Sequence, residues 1–284
     1  MPRAKFNNKP FFSIVVGNKG NDPWLRPHWR VLCYHEVLGE YTDNFRRQLL
    51  AFLQMGFAFV SLEEGLRVIS ADELKRPIMT VTFDDGDRTI YQNVLPVLDE
   101  LDIKAFLYVT ADFIRKSILY RKDTPLPVMN WAQLRQWLQQ GHGIGSHTLT
   151  HAPLHVCSRE RIVQECTISK KILEENCEVP IRHFSYPWGR HTKQTYELIK
   201  HGGLYDSAAT IHRGKMYCGQ DSYRLRRDLC DPRVSVESVI RIMRLADKWY
   251  WLRHFRRKPR GYWERHPEER WEALTNYETP SEGV

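Results

Sequence analysis

The sequence has no apolar run approaching the length of a membrane span, no internal repeat and no low-complexity tract. Its six cysteines (Cys33, Cys157, Cys166, Cys177, Cys218 and Cys230) form no C-x-x-C pair and show no tight spacing. They read as scattered reduced thiols, in keeping with a reducing compartment. No helix-turn-helix, finger or RNA-stacking signature is present, so a net charge of +8 does not point to nucleic acid. That charge, much of it in the last third, describes what the surface attracts and not the fold. The opening MPRAKFNNKPFFSIVVGNKG has a basic start, but its apolar stretch is short and lacks a small-residue cleavage site. It is expected to be an arm rather than a signal peptide, which points to the cytoplasm.

What is present is alternation. At 284 residues the chain can bury a full core, as one large α/β domain or two small ones. Short β-rich runs (RVLCYH, FAFVSL, PIMTVTFDD, KAFLYVT, HGIGSH, RHFSYP, YDSAAT) are separated by segments with helical spacing, among them residues 44–56, 90–101, 131–141 and 159–177. Strand and helix alternating this often predict a parallel sheet with crossover helices. About seven repetitions within roughly 200 residues suit a barrel-like closure better than an open sheet. From about Ser235 the chain becomes rich in Arg and Trp, with Ile242, Leu245, Trp249 and Leu252 on one helical face, and it closes on a polar tail.

Two stretches carry chemistry. In FDDG, Asp84 and Asp85 end an apolar strand just before Gly86; in GSHTLTH, His147 and His151 stand four apart after a strand opened by Gly143 and Gly145. Two imidazoles at that spacing can converge on one metal ion, and a single carboxylate from FDDG would complete a site with positions left for water and substrate. His35 ends another strand, and Pro187-Trp188-Gly189 follows a fourth. In barrel-like α/β folds the C-terminal strand ends gather around one mouth, so all four groups are expected to face one cleft. Read alone, Asp84-Asp85-Gly86 is equally a strand-ending turn. His142 and His155 read as polar surface residues, and Asp87 as a helix cap or a cleft residue.

Taken together, TFDDG, SHTLTH and YPWG resemble the polysaccharide deacetylase family, also called the NodB-homology domain or carbohydrate esterase family four. The resemblance spans roughly Arg30 to Arg227. It implies a distorted (β/α) barrel whose metal, commonly zinc, is bound by Asp85, His147 and His151. Asp84 would then be the general base, and a backbone N–H near Trp188 would face the oxyanion. Tyr186, Pro187 and Asp87 are the implied substrate contacts. The implied reaction removes acetyl from an N-acetylated sugar, polymeric or lipid-linked.

The sequence departs from the family pattern twice. No late histidine motif follows YRLRRDL; instead VLCYHEV is similar to the poly-N-acetylglucosamine deacetylase subgroup, in which that motif is displaced to the front and His35 would be the general acid. Ser185 stands where the family has an arginine that steadies the base, with Arg190 as a candidate replacement. That loss motivates a competing reading, a catalytically weak glycan-binding relative; hydrolysis of another carbon–nitrogen bond is a third. The expected organisation is an arm over 1–28, a catalytic domain over 29–234, and a basic aromatic helix with a flexible tail over 235–284. This last segment either packs on the barrel or rests on an anionic membrane surface.

Overall fold

A computed structural model describes residues 22–121 and 124–254. The strands among the described residues are β1 (Trp29–Tyr34), β2 (Ala58–Phe59), β3 (Ile78–Asp85), β4 (Ala105–Val109), β5 (Leu119–Arg121), β6 (Thr124–Leu126), β7 (Gly143–Ser146), β8 (His183–Ser185), β9 (Ser207–Ala209) and β10 (Asp228–Leu229). The helices are α1 (Thr42–Met55), α2 (Leu62–Ser70), α3 (Leu95–Glu100), α4 (Ala111–Lys116), α5 (Trp131–Gln139), α6 (Arg159–Cys177), α7 (Lys193–His201) and α8 (Val236–His254).

The main sheet runs β10-β1-β3-β4-β7-β8-β9, every pairing parallel, with β2 added beside the start of β3. Its two ends approach through one short stretch of chain. Leu225 bridges Ala209 of β9, and Asp228 and Leu229 pair with β1. The curled sheet is therefore a distorted (β/α) barrel of seven parallel strands, as the alternation predicted. β5 and β6 form a separate antiparallel hairpin in the β4–β7 crossover.

Alternation along each strand sorts the side chains into two layers. Leu32 and Tyr34, Val81 and Phe83, and Leu107 and Val109 point outward, under helical residues such as Phe45, Leu49, Leu98, Leu134 and Trp137. Trp29, Val31, Phe106, Tyr108, Ala209 and Leu225 fill the barrel interior. Gly143 and Gly145 make room for that filling. A Cβ on Gly143 would lie 2.4 Å from the Phe106 ring, and one on Gly145 would lie 2.6 Å from His183 O and 2.9 Å from the Tyr108 ring.

The helix expected over 90–101 is divided. Ile90–Val94 is one wide π turn, and α3 starts beside Pro96, whose missing N–H is tolerated in a first turn. FAFVSL keeps only two strand residues before Ser61 caps α2 by accepting from Glu64 N. On α8 the packed face is Val236, Val239, Ile240 and Met243, while Ile242 and Leu245 of the expected apolar face are exposed; the side chains of Trp249 and Leu252 lie outside the described ones. Asp247 fastens this helix: it pairs with the buried Arg30 and accepts from Trp24 Nε1 at 3.1 Å. The N-terminal arm up to residue 21, and the tail beyond 254, lie outside the described residues. Among the described residues, no helix is long and apolar enough to cross a membrane.

Candidate active site

Two strands bring the first groups together. In β1 the inward series Trp29, Val31, Cys33 continues to His35; in β3 the series Thr80, Thr82 continues to Asp84. Cys33 is in register with Thr82, so one further step on each strand sets His35 level with Asp84. Asp84 is in turn in register with Tyr108, and Tyr108 with Gly145. At Asp85 the chain leaves the sheet: its φ is 74°, followed by 97° at Gly86. Thr148 (φ 68°), His151 (60°) and Trp188 (54°) share this left-handed conformation, and non-glycine residues gathered in it mark a backbone bent to serve a site.

Those turns converge three donors. Asp85 Oδ1 lies 3.7 Å from His147 Nε2 and 3.7 Å from His151 Nε2, and the ligand atoms of all three residues lie within 4.8 Å of one another. Ligands about 2.1 Å from a tetrahedral ion stand roughly 3.4 Å apart, so a divalent cation of zinc size fits this triangle with little adjustment. The tautomer fits as well. His147 Nδ1 is 2.9 Å from the Ser185 carbonyl, which can only accept, so Nδ1 is the donor there and Nε2 is the nitrogen turned toward Asp85. Burial, followed by repulsion from His147, pushes His151 down to about 4, leaving a neutral imidazole with a free lone pair.

Asp84 is fixed from behind. Arg227, fully buried, donates from Nη1 to Asp84 Oδ1 (2.7 Å) and from Nη2 to Oδ2 (2.8 Å). The same guanidinium donates to Ser185 Oγ (2.8 Å) and to Thr210 O (2.8 Å), and sits 5.2 Å from the Tyr108 ring centre. Burial alone would raise the Asp84 pKa, but the guanidinium overrides it and holds the carboxyl well below the usual range. Arg227 thus supplies what Ser185 lacks. Arg190 does not: it is exposed at the rim, which corrects the sequence-based candidate. Three nearby arginines, Arg224, Arg226 and Arg227, gave no signal as to which points inward.

The remaining expected residues divide. Trp188 lies at the mouth, 48% exposed, its ring 4.3 Å from that of His151. In its turn the N–H groups of Gly189 and Arg190 donate to Tyr186 O (2.7 Å) and Pro187 O (3.1 Å), leaving the Trp188 N–H as the donor on offer. Tyr186 is buried, stacked on His191, and its hydroxyl donates to Tyr223 O, so its side chain cannot contact a substrate as placed. Pro187 is buried beside it. The Asp87 carboxylate accepts from Thr89 N (2.8 Å) and Thr89 Oγ1 (2.6 Å), the capping role rather than the cleft role. His142, expected at the surface, is buried against Trp137 and accepts from Ala105 N.

A parallel barrel with an Asp–His–His donor set at its mouth, and a second carboxylate clamped by arginine, has the make-up of a metal-site hydrolase scaffold. Residues 71–205 match the family model for polysaccharide deacetylases. A protein of Bacillus subtilis, YxkH, whose name assigns it to the polysaccharide deacetylases, is 25% identical over 249 residues, covering 83% of this chain and 85% of its own. A chitooligosaccharide deacetylase of Sinorhizobium fredii is 29% identical over 149 residues, 52% of this chain and 61% of that protein's length. The structure of IcaB from Ammonifex degensii superposes with a TM-score of 0.65 at 25% identity, over 78% of this chain and 97% of that one.

Proposed function

We propose that the chain is a metal-dependent hydrolase that removes the acetyl group from an N-acetylated sugar of a polysaccharide or glycolipid precursor. The observation that carries this is the pairing of two carboxylates with different surroundings. Asp85 faces two imidazole nitrogens at 3.7 Å, while its neighbour Asp84 is clamped by Arg227. Asp85, His147 and His151 would hold a divalent metal, most simply zinc, which when bound supplies Lewis acidity and lowers the pKa of water.

Asp84 then accepts the proton of the attacking water. Its lowered pKa keeps it ionised across the ordinary pH range, and Arg227 fixes which lone pairs it offers. The Trp188 N–H is the donor we assign to the developing oxyanion. His35, one residue past the end of β1 and with its ligand atom within 4.8 Å of that of Asp84, protonates the departing amine. The Ser185 substitution, which motivated a weak glycan-binding reading, loses its force because Arg227 occupies the role. Cytoplasmic placement, with membrane contact through the exposed Arg241, Ile242, Leu245 and Lys248 of α8, is the setting we propose. Liposome flotation that finds no binding would remove the membrane part.

The test is acetate release from N-acetylglucosamine oligomers by the metal-loaded protein. Activity should vanish with a chelator and return with a divalent ion. Asp84→Asn should keep its metal and lose activity by ~10²–10⁴-fold. An Asp84→Asn protein with full activity would sink this mechanism.

A further inference from the structure

A second group of donor atoms lies on the other side of the carboxylate pair. The ligand atoms of Cys33, His35 and Asp84 fall within 4.8 Å of one another, and Cys33 Sγ is 3.7 Å from Asp84 Oδ2. This set shares no residue with Asp85, His147 and His151, yet it adjoins them: Asp84 Oδ2 is 3.9 Å from His147 Nε2. We propose that Cys33, His35 and Asp84 form a separate site for a thiophilic divalent cation such as zinc, cobalt or cadmium, which fills when the ion is in excess.

The donor chemistry selects the ion. Sulfur with imidazole and one carboxylate suits zinc, cobalt and cadmium and is a poor match for magnesium or calcium. Each Asp84 oxygen has two lone pairs; Arg227 takes one on Oδ2, and another is left toward Cys33. The thiol is fully buried, and burial keeps it protonated while the site is empty. Binding therefore exchanges one bond for another: S–H breaks, S–metal forms, and the proton leaves to solvent. Arg227 also sets the order of filling. Its positive charge stands against Asp84 and opposes a cation there, whereas Asp85 faces the imidazole nitrogens of His147 and His151. The Asp85 set fills first and the thiol set second.

The consequence for turnover rests on the function proposed above, although the binding does not. An ion on Asp84 and His35 occupies the base and the acid together. Removing either is worth ~10²–10⁴-fold, so excess zinc should lower kcat by more than about tenfold.

Cobalt titration of the full chain tests the site directly. The first equivalent should bind without a sulfur-to-cobalt charge-transfer band, and a second should bring that band up in the near ultraviolet. Cys33→Ser should lose the second equivalent and the band while retaining the first. A single equivalent, or a band that survives Cys33→Ser, overturns the proposal. If Cys33→Ser also loses the first equivalent, Cys33→Ala replaces it. If neither variant folds, zinc-edge X-ray absorption on the two-zinc protein decides: a sulfur ligand supports the site and a shell of only nitrogen and oxygen removes it. An activity arm keeps the two ideas apart. Deacetylation by the one-metal protein with no band at the second equivalent ends this inference and leaves the function standing; a band in a protein inert at every metal content does the reverse.

Discussion

Arg227 grips both oxygens of Asp84, at 2.7 and 2.8 Å, across the barrel interior and out of reach of solvent. The pair is a positioning device and a charge balance at once. Losing one partner of a buried ion pair strands the other, at a cost of about 3–5 kcal/mol.

Arg227→Met should therefore lower unfolding free energy by about that amount and release Asp84 toward the ordinary carboxylate range. The acid limb of the pH–activity profile should move to higher pH. Arg227→Lys should keep the charge but lose the fork, recovering more stability than activity. Urea denaturation and a kcat/KM profile against pH check both. An unmoved acid limb in Arg227→Met would show that the guanidinium does not set the state of Asp84.

His35→Gln separates leaving-group chemistry from attack. An amide needs its departing nitrogen protonated, whereas an activated phenyl ester does not. The variant should lose ~10²–10⁴-fold on N-acetylated oligomers and change little on p-nitrophenyl acetate. Equal losses on both substrates would assign His35 to some other step.

Gly145→Ala probes the interior from the opposite side. Its Cβ would press on the Tyr108 ring and His183 O, and Tyr108 lies against the Arg227 guanidinium. Overpacking of this kind costs about 1–3 kcal/mol. A fall in kcat at unchanged KM is expected, because the strain reaches the base rather than the mouth. Thermal denaturation and steady-state kinetics read the two effects separately.

Acid should weaken the fold before it reaches the carboxylates. Burial pushes His142 and His191 each down to about 4, from an ordinary 6.5 that the unfolded chain retains. Between those values the unfolded state binds protons that the folded state refuses. Stability is thus greatest above pH 6.5, falls as pH drops toward 4, and stops falling from this cause below it. The slope per histidine is at most about 1.4 kcal/mol per pH unit. The Asp84 contribution is lost in a lower window, below the 3.8 of an ordinary aspartate. Urea midpoints at several pH values on metal-free protein check the upper window, and a flat response between pH 6.5 and 4 would contradict neutral burial.

The sequence made local pattern legible and left closure hidden. α6 falls on Arg159–Cys177 as read, and β3 ends on the acidic doublet as read, because each is specified by its own residues. That His147, His151 and one carboxylate of FDDG share one mouth followed from the gathering of strand ends, and the choice of Asp85 came from the family resemblance. Arg227 was out of reach, because its role depends on a bridge between Leu225 and Ala209 that no local pattern encodes. β8 and β9 are three residues each and owe their state to their neighbours. Which face of α8 packs could not be read, because Ile242 and Leu245 are as apolar as Val239 and Ile240; only the docking partner distinguishes them. Tyr186 was assigned to the cleft by its neighbours in YPWG, but alternation turns Ser185 to the interior and sends the Tyr186 ring outward, into the layer under the helices.

The stretch from Leu225 to Leu229 has a consequence in time. Arg227 lies 143 residues after Asp84, so a ribosome has made most of the protein before the base can be clamped. Until then Asp84 sits in a chain that can own its metal ligands and still have no organised proton acceptor. The order of synthesis thus acts as a safety catch: the stretch that closes the ring is also the one that arms the base.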